Sequence, residues 1–111
     1  MFYGCEYLAS LSLNNFATNK VKNMSNMFSG CTDLSNLEIN FDTSSLIDIS
    51  YTFSNCKSLK YINNKWDMTK IRNMSHAFYS CNELTSLNIN HFWSDSVEDL
   101  SYMFYNCNNL K

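Results

Sequence analysis

The stretch Met24-Ser25-Asn26-Met27-Phe28-Ser29-Gly30-Cys31-Thr32-Asp33-Leu34 decides how this chain is read. The same pattern returns as Ile49-Ser50-Tyr51-Thr52-Phe53-Ser54-Asn55-Cys56-Lys57-Ser58-Leu59, again from Met74 to Leu84, and again from Leu100 to Leu110. A shortened copy, Met1-Phe2-Tyr3-Gly4-Cys5-Glu6-Tyr7-Leu8, opens the sequence. The anchors Phe2, Phe28, Phe53, Phe78 and Phe104 are 26, 25, 25 and 26 residues apart. Each Phe is followed three residues later by Cys and six later by Leu. A fixed period in this range is the mark of a repeat architecture, in which each copy closes its apolar face on its neighbours.

Between the anchors the pattern predicts the rest of a repeat. Leu8, Leu11 and Leu13 follow the leucine-rich strand pattern, with Leu11 and Leu13 on one face and Ser12 on the other. Asn14-Asn15 is a polar turn, Phe16 an inward aromatic, and Val21 with Met24 a second extended piece. Ser25 reads as the N-cap of one helical turn that carries Met27, Phe28 and Cys31 inward. A longer helix through Val21, Met24, Phe28 and Cys31 is the competing local reading, since spacings of three and four permit it. The predicted fold is a repeat solenoid, β-rich with short helical turns. It is a leucine-rich-repeat-like right-handed coil of about four 25–26-residue turns with parallel strands. The whole of residues 1–111 forms a single repeat domain, read as a fragment of a longer array. The third copy departs from the pattern. Asn64 stands at a strand position, where it should bulge or turn outward, with Trp66 in the aromatic column.

Composition narrows the function. With 111 residues, 16% charged and a net charge of −2, the chain offers neither a basic footprint for nucleic acid nor a polybasic membrane patch. It has no run long enough to span a bilayer and no signal peptide at its start, so any membrane anchor lies outside this segment. The five cysteines, Cys5, Cys31, Cys56, Cys81 and Cys107, recur once per copy and read as an inward ladder of free thiols. Parallel side chains in such a ladder suit neither a disulfide nor a tetrahedral metal site, and no cofactor is implied.

The motif apolar-Ser-x-Met-Phe-x-x-Cys-x-x-Leu-x-x-Leu-x-Leu, followed by Phe-x-Thr and Val-x-Asn-Met, resembles the BspA-like leucine-rich-repeat surface proteins. The closest branch is the 26-residue repeat of bacterial surface proteins and mycoplasma-type lipoproteins. The resemblance runs through the whole chain. It departs at Thr52 and Ala77 in the Met column, at Trp66 and at Asn64. It implies export, a cell-surface location and, for some members, adhesion to matrix proteins or other cells.

No catalytic motif stands against that reading. His76 and His91 are the only histidines, and neither has a histidine or paired carboxylate at ligand spacing. The chain is therefore expected not to be an enzyme. Asn23-Met24-Ser25 and Asn73-Met74-Ser75 match the glycosylation sequon but belong to the repeat itself. The informative positions are the ones that vary from copy to copy. One column is Asn26, Tyr51, His76 and Tyr102; a second is Tyr3, Ser29, Ser54, Tyr79 and Tyr105. Tyrosine offers a large, rigid, amphipathic contact. Tyr51, His76, Tyr102, Tyr79 and Tyr105 are thus the candidate binding residues for a protein or glycan partner, although stacking between copies would also explain them. A polar third column, Ser12, Glu38, Asn63 and Asn88, lines the outer face of the strands. An architectural spacer without a ligand is the alternative function, and open apolar ends favour end-to-end stacking of copies.

Overall fold

The spacing of three in Phe28-x-x-Cys31-x-x-Leu34 is built from consecutive β-turns rather than from a helix. In the computed structural model, which describes residues 1–63, 65–88 and 95–111, three turns follow one another. Met27 N–H donates to Met24 O at 3.1 Å, Cys31 N–H to Phe28 O at 3.1 Å, and Leu34 N–H to Cys31 O at 3.2 Å. The third residue of the first turn is left-handed, Asn26 at φ 57°, and so is that of the second, Gly30 at φ 77°. A β-turn with a left-handed third residue favours Gly or Asn there. The other copies repeat the pair: Tyr51 and Asn55, His76 and Ser80, Tyr102 and Asn106 all have positive φ.

This geometry corrects the expected architecture. The leucine-rich-repeat-like solenoid, β-rich with short helical turns, is not formed. Among the described residues there is no helix, and strand is confined to β1 (Ser10–Ser12) and β2 (Asn36–Glu38). These two pair in parallel in one small sheet, Leu11 opposite Leu37. Elsewhere, pairing is reduced to single bridges such as Asp48 with Asn73 and Tyr61 with Ser86. The body measures 34 × 30 × 21 Å with a radius of gyration of 12.7 Å, compact rather than a coil of four strand-bearing turns. The physical cause is the pair of left-handed residues in each copy, because a single such residue interrupts both helix and strand. The predicted Ser25 cap is also replaced. Asn23 Oδ1 accepts the Ser25 N–H at 2.7 Å, and Asp48, Asn73 and Asp99 do the same for Ser50, Ser75 and Ser101. These are Asx turns, which offer the backbone an alternative to a helix.

Between copies, four N–H groups in each of the three inner turn regions reach across to carbonyls of the following copy. Met24, Asn26, Phe28 and Gly30 donate to Asp48, Ser50, Thr52 and Ser54 at 2.8–3.0 Å. Packing follows the same register. Phe28, Phe53 and Phe78 are fully buried, and the five phenyl rings stack at 5.3–5.7 Å within 12° of parallel. Leu34, Leu59 and Leu84 lie beneath them, completely enclosed. Each inner thiol also finds an acceptor. Cys31 Sγ–H donates to Phe2 O, Cys56 to Phe28 O, Cys81 to Phe53 O and Cys107 to Phe78 O, at 2.9–3.1 Å. All five cysteines are free; Cys31, Cys56 and Cys81 are buried, Cys107 is half-buried and Cys5 is exposed, so the inward ladder stops short of the first copy. Thr52 fits the Met column because its hydroxyl lies 2.7 Å from Ile49 O and 3.0 Å from Met24 O.

The aromatic column is mixed. Phe41 and Trp66 are buried, Trp66 meeting Phe53 edge-on at 6.3 Å, whereas Phe16 is exposed. Asn64 and Phe92 lie outside the described residues.

The Asx turns make one pH prediction. Asp42 accepts from the Ser44 hydroxyl at 2.6 Å and its N–H at 3.0 Å, and Asp67 likewise from Thr69 at 2.7 and 3.0 Å. Those hydroxyls, then the backbone N–H groups, hold both carboxyls below the usual aspartate range. A depressed folded-state value means the contribution is intact above the unfolded pKa and is lost as pH falls through the folded one. Carboxyl titration by NMR should place both midpoints low, and Ser44→Ala and Thr69→Ala should return Asp42 and Asp67 toward ordinary values.

Candidate functional site

The left-handed residues that break regular structure also build the site. A residue at the third position of the first turn projects its side chain outward beside its counterparts in the next copies. Tyr51 and His76 stack at 4.4 Å and 8°, and His76 and Tyr102 at 5.0 Å and 27°. The second column forms its own stack, Tyr79 on Tyr105 at 5.2 Å and 11°. The two are joined by a tilted contact, His76 to Tyr79 at 5.5 Å and 40°, and by an edge-on one, Tyr102 to Tyr105 at 5.7 Å and 70°. Five aromatic rings thus form one continuous double row.

These rings wall a groove of about 790 Å³. Its lining takes in all five candidate residues, Tyr51, His76, Tyr102, Tyr79 and Tyr105, together with Tyr3, Asn26 and Asn55, over a floor of Ser29 and Ser54. The structure therefore brings together the residues of the two variable columns. The stacking alternative is realised at the same time, since the ring faces are largely spent on one another. Tyrosine edges and amides are left for a ligand. Among the described residues no Asp, Glu, Lys or Arg lines the groove, so a ligand there would be held by hydrogen bonds and apolar contact rather than by formal charge.

The groove carries a cost. A bulky residue at positive φ is a true outlier, and two line the groove, Tyr51 and Tyr102; His76 shares their conformation, which histidine adopts more readily. Each left-handed residue with a side chain costs roughly 1–2 kcal/mol. His76 Nδ1 is buried without a hydrogen-bond partner among the described residues. Strained residues cluster at functional sites; Trp66 Nε1, outside the groove, is likewise buried without a partner among the described residues.

Other candidates are absorbed differently. Asn23 and Asn73, the two sequon positions, hold Asx turns. The polar strand face forms a smaller hollow of about 280 Å³ beside Glu38, Tyr61 and Asn63. His91 lies outside the described residues. Among the described residues no three His, Cys, Asp or Glu side chains gather as a metal site would need, and no helix is long and apolar enough to cross a membrane. The turn role of the third position escaped the sequence reading. Gly4, Asn26, Gly30, Asn55 and Asn106 at those positions were the readable clue.

A chain of recurring turn units with variable aromatic positions gathered in one groove is a repeat domain. It belongs to the family described as Mycoplasma protein of unknown function, DUF285, whose model matches residues 1–111. That membership agrees with the mycoplasma-type side of the resemblance; it does not carry the BspA-like leucine-rich-repeat assignment. Comparison with curated proteins found no match, and comparison with solved structures found none either.

Proposed function

We propose that this chain is a non-enzymatic ligand-binding segment of a cell-surface protein, with the aromatic groove taking a protein or glycan partner. One observation carries the reading: Tyr51, His76 and Tyr102 occupy strained left-handed positions that Asn26 fills in their neighbouring copy, yet all three gather in one groove. Packing alone would be served better by Asn or Gly at each of these positions. Strain kept against that preference points to use of the side chains. The groove's make-up of Tyr, Asn and Ser is that of an adaptable, uncharged recognition surface. The surface location rests on the resemblance to exported repeat proteins.

The test replaces Tyr51 and Tyr102 together by Asn, which tolerates the left-handed backbone and so leaves the fold intact. Binding is screened against a neutral glycan array and immobilised collagen and laminin. Saturable binding of the parent chain that falls about tenfold or more in the double variant is expected, as for loss of two aromatic anchors. Undiminished binding by a folded double variant removes the groove from the mechanism. No saturable binding to any of these probes returns the chain to a spacer.

A further inference from the structure

We infer that the strand face carries a second ligand site, a cleft between β2 and residues 61–63 that takes an N-acetylated amino sugar. The cleft lies where the backbone pairing between copies is interrupted. Ser35 N–H donates to Ala9 O at 3.0 Å between the first two copies, and Thr85 N–H to Lys60 O at 3.0 Å between the third and fourth. Among the described residues no backbone hydrogen bond joins β2 to residues 61–63. Asn36 N–H donates to Ala9 O at 3.3 Å and Leu13 N–H to Glu38 O at 2.8 Å, so Asn36 and Glu38 direct their peptide groups at β1. Alternate residues of a strand direct theirs to opposite neighbours, which turns the Leu37 N–H and C=O toward the third copy. Neither group has a partner among the described residues, and Leu37 is only 4% exposed. A donor and an acceptor left unpaired on a nearly buried residue are costly until something pairs them.

The surroundings match such a sugar group by group. The cleft, about 280 Å³, is lined by Asn14, Asn36, Leu37, Glu38, Tyr61 and Asn63. It shares Asn14 and Asn63 with an adjoining hollow of about 650 Å³ that adds Asn15, Asn40 and Lys65. An acetamido group carries one N–H and one C=O, the complement of the Leu37 pair. Sugar hydroxyls both donate and accept, as the flanking amides do, and the Glu38 carboxylate accepts from them. Tyr61 is 54% exposed and has no ring partner among the described residues, so a ring face is left for the apolar face of the sugar. The aromatic groove differs on this point, because its rings stack on one another. Glu38 in the cleft and Lys65 in the adjoining hollow offset in charge, which suits a neutral ligand. The site is separate from the aromatic groove and does not rest on the binding proposed there.

The experiment titrates the isotope-labelled chain with N-acetylglucosamine and, separately, with glucose, which lacks the acetamido group, and follows amide signals by NMR. N-acetylglucosamine at up to about 10 mM should shift the Leu37 backbone amide and the side-chain amides of Asn14, Asn36 and Asn63 in a saturable manner. Glucose should bind about tenfold more weakly, which corresponds to the loss of one or two hydrogen bonds. Tyr61→Ala, a change at an exposed position, should weaken N-acetylglucosamine binding about tenfold while circular dichroism shows the parent fold. The absence of saturable shifts, equal binding of glucose, or undiminished binding by Tyr61→Ala overturns the proposal. So do shifts confined to Tyr51, His76 and Tyr102, which place the sugar in the aromatic groove instead.

Discussion

Replacing Phe53 by alanine should destabilise the protein by about 3–5 kcal/mol, the range for removing a fully buried phenyl group. Phe53 is 1% exposed and is the middle ring of the stack. It lies 5.3 Å from Phe28, 5.5 Å from Phe78 and 6.3 Å from Trp66, which meets it edge-on. The Cys81 thiol also donates to its carbonyl at 3.0 Å, so backbone relaxation around a cavity here disturbs the next copy. Collapse to fill the void is restricted, because Phe28 and Phe78 are held by their own backbone bonds to Thr52 and Met103. A domain of this size has a total stability of only about 5–15 kcal/mol, so one substitution removes much of it. Phe53→Leu, which retains most of the volume, should cost about 1.5 kcal/mol or less. Urea unfolding followed by circular dichroism gives both values. A cost below about 1.5 kcal/mol for the alanine variant would mean that the ring stack does not hold the copies together.

The sequence made the stacking partners legible and left the backbone between them obscure. Phe, Cys and Leu recur in register, and their columns coincide in space because each copy donates hydrogen bonds to the next at a fixed offset. What failed was the local reading. Apolar residues three apart fit a helical turn and a chain of β-turns equally well, and periodicity alone does not separate them. The deciding evidence was conformational: Gly4 and Gly30 share their turn position with Asn55, Ser80 and Asn106. Asn26 likewise shares its position with Tyr51, His76 and Tyr102. The tyrosines of that set mask the turn preference, because tyrosine is a poor residue for it. The outward positions are more legible than the backbone that carries them, since variation among otherwise repeated copies marks them directly. Phe16 was misplaced for a different reason. Its counterparts Phe41 and Trp66 are buried, whereas Phe16, in the first copy, stays 53% exposed.

Alkali should unfold this protein steeply, and the thiol ladder is the reason. Cys56 and Cys81 are completely enclosed, and burial, reinforced by the neighbouring thiols of the ladder, pushes both well above the ordinary thiol range. The folded state therefore keeps both protons when the unfolded chain gives them up. Their contribution is fully present below the unfolded value, about 8.5, and is lost as pH rises above it. Each thiol removes about 1.4 kcal/mol per pH unit, so the pair removes about 2.7 kcal/mol per unit. Between pH 8.5 and 10.5 the loss is about 5 kcal/mol, comparable with the whole stability of a small domain. Burial shifts Cys31 in the same direction and adds to the slope. Urea unfolding at stepped pH values measures that slope. In the Cys56→Ala/Cys81→Ala variant it should flatten by about 2.7 kcal/mol per unit, even though the variant starts less stable at neutral pH. If parent and variant lose stability in parallel as pH rises, the buried thiols do not control alkaline unfolding. The ladder's hydrogen bonds to the Phe carbonyls would then be packing contacts with no hold on the proton balance.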